Sequence, residues 1–247
     1  DMPYLKAWRT EGAHLEQIHR LTPARARALW RTQEYTLVAD NIDLCLPLLR
    51  QVMVSIRSHL GYSNDFQCQL SCNAYAAPPH VGTRVHFDEH EVLVVQVLGS
   101  KTWRYAPNEH VDSPTEPFFG GEPRPGLSRQ LHRAPLPTTL PRAATEVELV
   151  PGSLLFLPRG TWHQPTAGPA GSLALTLTFM TQTWARVLLR AFALALETNA
   201  QLREPLSPLP DGVPDARVIR KVRAKARLAR EVLEQLDRAT IIEALGR

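Results

Sequence analysis

The chain has 247 residues, of which 44% are hydrophobic and 21% charged, so it is long and apolar enough to bury a core. This composition excludes an intrinsically disordered chain, and three cysteines without a framework spacing exclude a disulfide scaffold. The net charge of +4 is too small to indicate a partner until the basic residues have been located.

The sequence also bears on membrane association and compartment. No stretch approaches the ~18 consecutive apolar residues of a membrane span, and the first residues lack the apolar region of a signal peptide. An odd number of cysteines without a framework spacing suits a reducing compartment. We therefore predict a cytoplasmic protein that has no membrane partner.

Residues 1–60 show a mixed pattern with helical pieces, and the apolar spacing over 46–60 predicts an amphipathic helix that stops at Gly61. From Phe66 onward the pattern changes to short β-prone runs separated by Gly and Pro. The predicted strands are 68–75, 84–88, 92–98, 101–106, 146–149, 153–157 and 172–179. Many short strands with turn signals favour a β-sandwich or a barrel.

One pair of these strands predicts a hairpin. Runs 92–98 and 101–106 are separated only by Gly99-Ser100, a pair typical of tight turns. Paired residues share a face of a sheet, so this register points Lys101 and Trp103 the same way as Gln96 and Val94.

Two further segments lie outside the predicted strands. The segment between Val111 and Thr145 holds seven prolines, and a loop of this length is either functional or disordered. After Trp184 the pattern becomes helical, with one helix over 185–200, a proline-rich break, and a second helix over 215–245.

Three residues within the strand region are of the types that bind metal ions. His86 and Asp88 are two apart, so on a strand both side chains lie on one face. His163 follows the Pro158-Arg159-Gly160 turn far downstream. Two histidines and one carboxylate form a facial triad, which leaves open positions on a non-haem iron.

The motifs around these residues resemble a known family. Gly152, Pro158, Gly160 and His163 look like the second cupin motif, G-x5-P-x-G-x2-H. The stretch N-A-Y-A-A-P-P at 73–79, followed by V-H-F-D-E-H-E-V-L-V-V-Q-V-L-G-S-K-T-W-R-Y-A-P, is similar to JmjC-type cupin oxygenases, with the closest likeness to the ribosomal-oxygenase-like branch. The resemblance covers roughly residues 30–180.

The resemblance implies a mainly β fold: a double-stranded β-helix (the cupin/JmjC barrel) with N-terminal helical elements and a C-terminal helical region. We expect residues 1–182 to form the oxygenase domain. Residues 183–247 are then the helical region, whose helices are the expected surface of a homodimer. The family's longer members add a winged-helix domain after such a region, whereas here only about sixty residues follow the barrel.

The resemblance also implies the cofactors and the site. Fe(II) is expected as the metal, with 2-oxoglutarate as cosubstrate and dioxygen as oxidant. The residues that match the iron ligands are His86, Asp88 and His163. Lys101, fifteen residues after His86, matches the basic residue that binds the distal carboxylate of 2-oxoglutarate. Asn73 and Tyr75 share a strand face and match polar positions that line the cosubstrate pocket in the family. Thr176 and Thr178 share a face of the last predicted strand, where either could bond the cosubstrate. His90 is expected beside the site or on the surface, because a fourth ligand would hinder dioxygen.

We therefore predict a 2-oxoglutarate-dependent dioxygenase that hydroxylates a residue of a protein or a ribosomally made peptide. The alternatives are an N-methyl-lysine demethylase, a small-molecule oxygenase and a cupin that binds metal without catalysis. The substrate stays open between a ribosomal protein and a peptide natural-product precursor.

The last helix carries a run of basic residues. Residues 216–230 contain seven Arg or Lys residues and no acid, next to an apolar stripe suited to packing. This pattern is typical of a solvated basic face, and it also suits an acidic partner such as a leader peptide or RNA. Nucleic acid is not expected, because no aromatic residues interleave the basic ones.

Overall fold

The structure is a computed structural model that describes residues 4–11, 14–121, 123–205 and 216–246. Cα proximity divides the chain into a larger unit, Asp1–Ser63 with Cys68–Thr181, and a smaller unit, Asn64–Gln67 with Gln182–Arg247. The predicted domains 1–182 and 183–247 remain a proposal, because compactness alone does not show that either folds separately.

The larger unit is built on one sheet whose strand pairs are all antiparallel in the described residues. Its order is β2-β1-β3-β4-β8-β5-β6, and β7 pairs with β5. The strands are β1 (Tyr4–Glu11), β2 (His14–Leu21), β3 (Thr36–Asp40), β4 (Cys68–Ala77), β5 (Glu91–Ala106), β6 (Thr145–Leu149), β7 (Leu154–Leu157) and β8 (Trp162–Thr181). The predicted mainly β class with helices is confirmed.

The predicted hairpin at Gly99-Ser100 is wrong. Strand β5 runs straight through this pair and stays beside β8, and the register between the two strands shifts on either side of Leu98 and Gly99. A Cβ at Gly99, whose φ is +63°, would lie 2.1 Å from the carbonyl oxygen of Gly171. The close approach of the two backbones therefore forms a bulge here and not a turn.

The bulges still produce the shared face that the hairpin predicted. Val94 and Gln96 are buried before the irregularity, and Lys101 and Trp103 are buried after it. An unbroken strand would place residues 96 and 101 on opposite faces, because side chains alternate with a period of two. The register shifts reverse that alternation, so both halves of β5 bury these side chains.

The N-terminal part is richer in strands than its sequence pattern indicates. Strands β1, β2 and β3 extend the sheet beyond β4, where only mixed structure with helical pieces was expected. The two N-terminal α-helices are α1 (Pro23–Arg31) and α2 (Pro47–His59), and α2 corresponds to the helix predicted over 46–60. Met53 of α2 packs with Cys68, Cys72 and the apolar residues of β4 and β8, so both cysteines belong to a core.

The described part of the proline-rich segment is packed and not disordered. It contains the short helix α3 (Pro125–Ser128), and Phe87 and Phe118 exchange backbone hydrogen bonds of 3.1 and 3.0 Å. Its apolar side chains form a second core with Phe87 and Trp162; they are Val111, Phe118, Leu127 and Leu140. The segment therefore packs against Phe87, which lies between two of the candidate metal ligands, and against Trp162, which precedes the third.

The smaller unit consists of α4 (Trp184–Glu197), α5 (Ala216–Glu234) and α6 (Arg238–Ala244). The helix predicted over 215–245 is divided, because Asp237 accepts a hydrogen bond of 2.7 Å from the Thr240 N–H and starts α6. The proline-rich break and Asp215 lie outside the described residues. Within them, no helix is both long and apolar enough to cross a membrane.

Candidate metal centre

Backbone pairing holds two of the predicted ligands together. The N–H of His86 donates to the carbonyl of His163 at 3.1 Å, and the N–H of His163 donates back at 2.8 Å. Two residues that exchange both hydrogen bonds are directly opposed, so their side chains share a face. The regular strand predicted over 84–88 is wrong; in the described structure this segment has isolated bridges, including His86 with His163.

The second cupin-like motif also fixes Asp88. Gly160, with φ of +80°, forms the turn before β8, and its N–H donates to the carbonyl of Asp88 at 2.9 Å. The positive φ suits glycine, since a side chain there would be strained. The turn that leads to His163 thus also anchors the backbone of the predicted carboxylate ligand.

These contacts bring the three predicted ligands into one cluster. One ligand atom from each of His86, Asp88 and His163 lies within 4.8 Å of the others, and Nε2 of His163 is 3.6 Å from Oδ2 of Asp88. His86 is 8% exposed and His163 is 3% exposed, and the centroids of their imidazole rings are 4.1 Å apart. Two ring nitrogens and one carboxylate that converge on one point form a donor set for a divalent metal ion.

Backbone carbonyls orient the rings of both histidines. Nδ1 of His86 is 2.8 Å from the carbonyl of Arg84, and Nδ1 of His163 is 2.8 Å from the carbonyl of Thr161. A carbonyl only accepts, so each Nδ1 carries the proton and each Nε2 keeps its lone pair for a metal. Burial, with a contribution from His163, lowers the pKa of His86 to about 3, which keeps this ring neutral.

Lys101 lines the cavity that also contains His86, Asp88 and His163, and its charge is buried. The residue is 7% exposed, and among the described residues its ammonium has no hydrogen-bond or ion-pair partner. Burial lowers its pKa to about 8. An ammonium in such a place is costly unless an anion pairs with it, so the position favours a bound carboxylate.

The four predicted pocket residues also line this cavity. Asn73 of β4 is opposite Thr176 of β8, and Thr178 lies two residues further along the same face. Oδ1 of Asn73 accepts a hydrogen bond of 2.9 Å from the Asn41 N–H, so part of this amide holds the backbone. Burial raises the pKa of Tyr75, which keeps it a neutral phenol.

The cavity has a volume of about 370 Å³ and includes residues that the sequence did not single out. Lys6, Trp8 and Gln17 come from strands that were not predicted, although the spacing of Lys6 and Trp8 would place them on one face of a strand. Phe119 stacks on His86 with ring centroids 5.0 Å apart, a long-range contact without a local sequence signal. His90 lines the cavity but is outside the three-residue cluster.

Comparison with known proteins agrees with this geometry. A sequence model of the JmjC domain family matches residues 51–187, more than half of the chain. The uncharacterised protein YxbC of Bacillus subtilis is 31% identical over 191 residues, which cover 74% of this chain and 55% of YxbC. A bifunctional lysine-specific demethylase and histidyl-hydroxylase NO66, from Drosophila mojavensis, is 32% identical over 152 residues, 60% of this chain and 15% of NO66.

Solved structures show the same fold. A crystal structure of Escherichia coli YcfD aligns with a TM-score of 0.56 at 15% identity, covering all of this chain and 60% of YcfD. A structure of YcfD, described as a ribosomal oxygenase in complex with cobalt and 2-oxoglutarate, aligns with a TM-score of 0.53 at 15% identity and covers 94% and 56% of the two chains. The predicted barrel fold is thereby confirmed. The chain spans about half of the length of YxbC and a smaller share of NO66.

Proposed function

We propose, from the premise that the chain belongs to the JmjC domain family, that it is an Fe(II)- and 2-oxoglutarate-dependent oxygenase. We further propose that it hydroxylates a residue of a protein or of a ribosomally made peptide. The observation that carries the proposal is one cavity holding His86, Asp88, His163 and an unpartnered, buried Lys101. The YcfD structure with cobalt and 2-oxoglutarate supports the choice of metal site and cosubstrate.

The residues present fit both groups. The metal would be held by Nε2 of His86, a carboxylate oxygen of Asp88 and Nε2 of His163, and the distal carboxylate of 2-oxoglutarate by the ammonium of Lys101. When bound, Fe(II) supplies the activation of dioxygen, with 2-oxoglutarate as the reducing cosubstrate.

The chain itself contributes orientation of the ligands and aromatic packing beside them. Hydrogen bonds at both Nδ1 atoms keep the imidazole rings of His86 and His163 in one tautomer, so their lone pairs point to a fixed place. Trp103 lies beside the His163 ring at a centroid distance of 5.6 Å, and Phe119 covers one face of the His86 ring. These aromatic rings shield the two imidazoles from solvent, which strengthens charge interactions beside them.

The affinity for 2-oxoglutarate should fall as the pH rises through about 8. Below that value the Lys101 ammonium of the free enzyme is charged and can bind a carboxylate; above it the amine is neutral. Binding should weaken by up to about tenfold per pH unit, until the pH passes the higher pKa that a paired ammonium has. Calorimetric titration with Mn(II), without dioxygen, from pH about 7 to about 9.5 measures this. An affinity that stays constant over the range contradicts the role of Lys101.

N-methyl-lysine demethylation is the second candidate, because the NO66 relative is named as both a demethylase and a hydroxylase. Both reactions insert oxygen into a C–H bond, and a hydroxylated N-methyl group then leaves as formaldehyde. A small-molecule substrate is a third candidate. A cupin without catalysis is disfavoured, because such a protein has no need to keep both a complete ligand triad and the buried Lys101.

The test of the proposed function uses purified protein with Fe(II), 2-oxoglutarate, dioxygen and candidate peptides, both unmodified and N-methylated on lysine. Mass spectrometry of the peptides should show a gain of one oxygen atom that depends on 2-oxoglutarate. Loss of a methyl group with release of formaldehyde would support demethylation instead. Turnover confined to a small molecule would contradict a polypeptide substrate.

Two further predictions remain proposals. A homodimer through the C-terminal helices is supported by apolar side chains that α4 exposes within the smaller unit, Trp184 at 78% and Leu189 at 67%. The cytoplasmic location is supported by the small, odd number of cysteines, of which Cys68 and Cys72 are buried in a core and Cys45 is exposed.

A further inference from the structure

Helix α5 presents a row of arginines along one side. Arg220, Arg223, Arg227 and Arg230 follow the spacing i, i+3, i+7, i+10, so they lie within about 80° of the helix circumference and along about 15 Å of its length. All four are exposed. We call these four residues the arginine stripe.

Carboxylates from the same chain already bind three of the basic residues of α5. Lys225 and Lys221, roughly on the opposite side of the helix, lie 3.1 and 3.8 Å from Oε2 of Glu204, whose pKa is lowered chiefly by Lys225. Arg230, at the end of the stripe, is 2.9 Å from Oε1 of Glu234. The remaining three arginines of the stripe have no ion pair or hydrogen bond within the part of the chain that the structure describes. Within the described residues, Glu204 and Glu234 therefore occupy two lysines and Arg230, whereas Arg220, Arg223 and Arg227 face solvent.

The residue types in α5 limit the kind of partner that could bind the arginine stripe. Arginine forms forked hydrogen bonds to carboxylate or phosphate, so either group could occupy the stripe. Residues 216–230 contain no aromatic side chain on which a base could stack, and no Asn, Gln, Ser or Thr that could read a base edge. Binding of a polypeptide through its carboxylates needs neither feature, so this composition favours an acidic polypeptide over a nucleic acid that is read through its bases.

We propose that the arginine stripe is a docking surface for an acidic polypeptide segment, bound through its Glu or Asp side chains. An extended segment of about five residues covers the length of the stripe, and in it every second side chain faces the helix. The proposal does not depend on the reaction at the metal centre, because it concerns equilibrium binding by α5 alone. Such an interaction is exposed and therefore screened by salt.

The test measures fluorescence anisotropy of a labelled oligoglutamate peptide of about 12 residues at ~50 mM salt. The Arg220→Gln, Arg223→Gln, Arg227→Gln triple variant should bind the peptide about tenfold more weakly than the wild type, since each exposed charge pair contributes modestly. Glutamine retains good helix propensity, and circular dichroism checks that the fold is kept. The matched control replaces Arg25, Arg27 and Arg31 of α1, all exposed, with Gln and removes the same charge. The control should bind within about twofold of the wild type.

Three results would overturn the proposal. Equal weakening in the α1 control would show that net charge, and not the stripe, attracts the peptide. Tighter binding of a single-stranded RNA of the same length, lost in the α5 variant, would assign the stripe to nucleic acid. If the wild type does not bind the peptide even at low salt, the arginine stripe is only a solvated face of the helix.

Discussion

The Asp88→Ala variant should lose its metal ion and its oxygenase activity while keeping its fold. Asp88 supplies the carboxylate of the cluster, and its Oδ2 lies 3.6 Å from Nε2 of His163. The affinity for Fe(II) or Mn(II) should fall by more than about 100-fold, because loss of a residue that merely supports a ligand already costs about 10–100-fold. Metal titration and the hydroxylation assay measure the two effects separately.

Glu89 provides the matched control for this variant. It is the next carboxylate in the chain, and it contacts His90 at 3.7 Å but is not a member of the ligand cluster. Glu89→Ala should therefore keep metal binding within a few-fold of the wild type. Equal loss of metal in both variants would show a general electrostatic effect and would remove Asp88 from the ligand set.

The Lys101→Ala variant should bind 2-oxoglutarate about 10–150-fold more weakly, since a hydrogen bond to a charged group contributes about 1.5–3 kcal/mol. Metal affinity in the absence of cosubstrate should change little. Lys6→Ala is the control, because Lys6 lines the same cavity but its ammonium is already paired with Asp40 at 2.8 Å. Wild-type affinity for 2-oxoglutarate in the Lys101 variant would refute the assignment.

The same lysine should also leave a signature in stability. Without an anion, the buried ammonium of Lys101 is desolvated and has no charge partner, which lowers the free energy of unfolding. Lys101→Met keeps most of the side-chain volume and removes the charge, so the protein without 2-oxoglutarate should unfold at a higher temperature than the wild type. Excess 2-oxoglutarate should raise the melting temperature of the wild type and leave that of the variant nearly unchanged.

Local spacing predicted that His86 and Asp88 share a face and that a turn precedes His163, and the family resemblance added Lys101 to the candidate site. His86 and Asp88 are separated by two residues, and the turn glycine Gly160 lies three residues before His163, so each motif specifies its own short backbone geometry. The resemblance then connected two motifs that are far apart in the sequence. The helix over 46–60 and most of the strands between residues 68 and 179 were likewise evident from apolar periodicity.

The features that were missed depend on long-range contacts. Strand β1 alternates weakly in its sequence and exists because it pairs with β2 and β3. Gly99-Ser100 matches a turn locally, yet the close approach of Gly171 makes it a bulge. Phe119 reaches His86 only because the proline-rich segment bridges to Phe87. Such pairings are properties of the assembled sheet and cannot be derived from residue spacing alone.

A crystal structure of the protein with Mn(II) and 2-oxoglutarate, grown without dioxygen, tests the central claim most directly. Anomalous scattering should place one manganese ion between Nε2 of His86, a carboxylate oxygen of Asp88 and Nε2 of His163. The distal carboxylate of 2-oxoglutarate should lie within hydrogen-bond distance of Nζ of Lys101. A metal ion bound elsewhere, or a cosubstrate carboxylate that does not contact Lys101, would contradict the account.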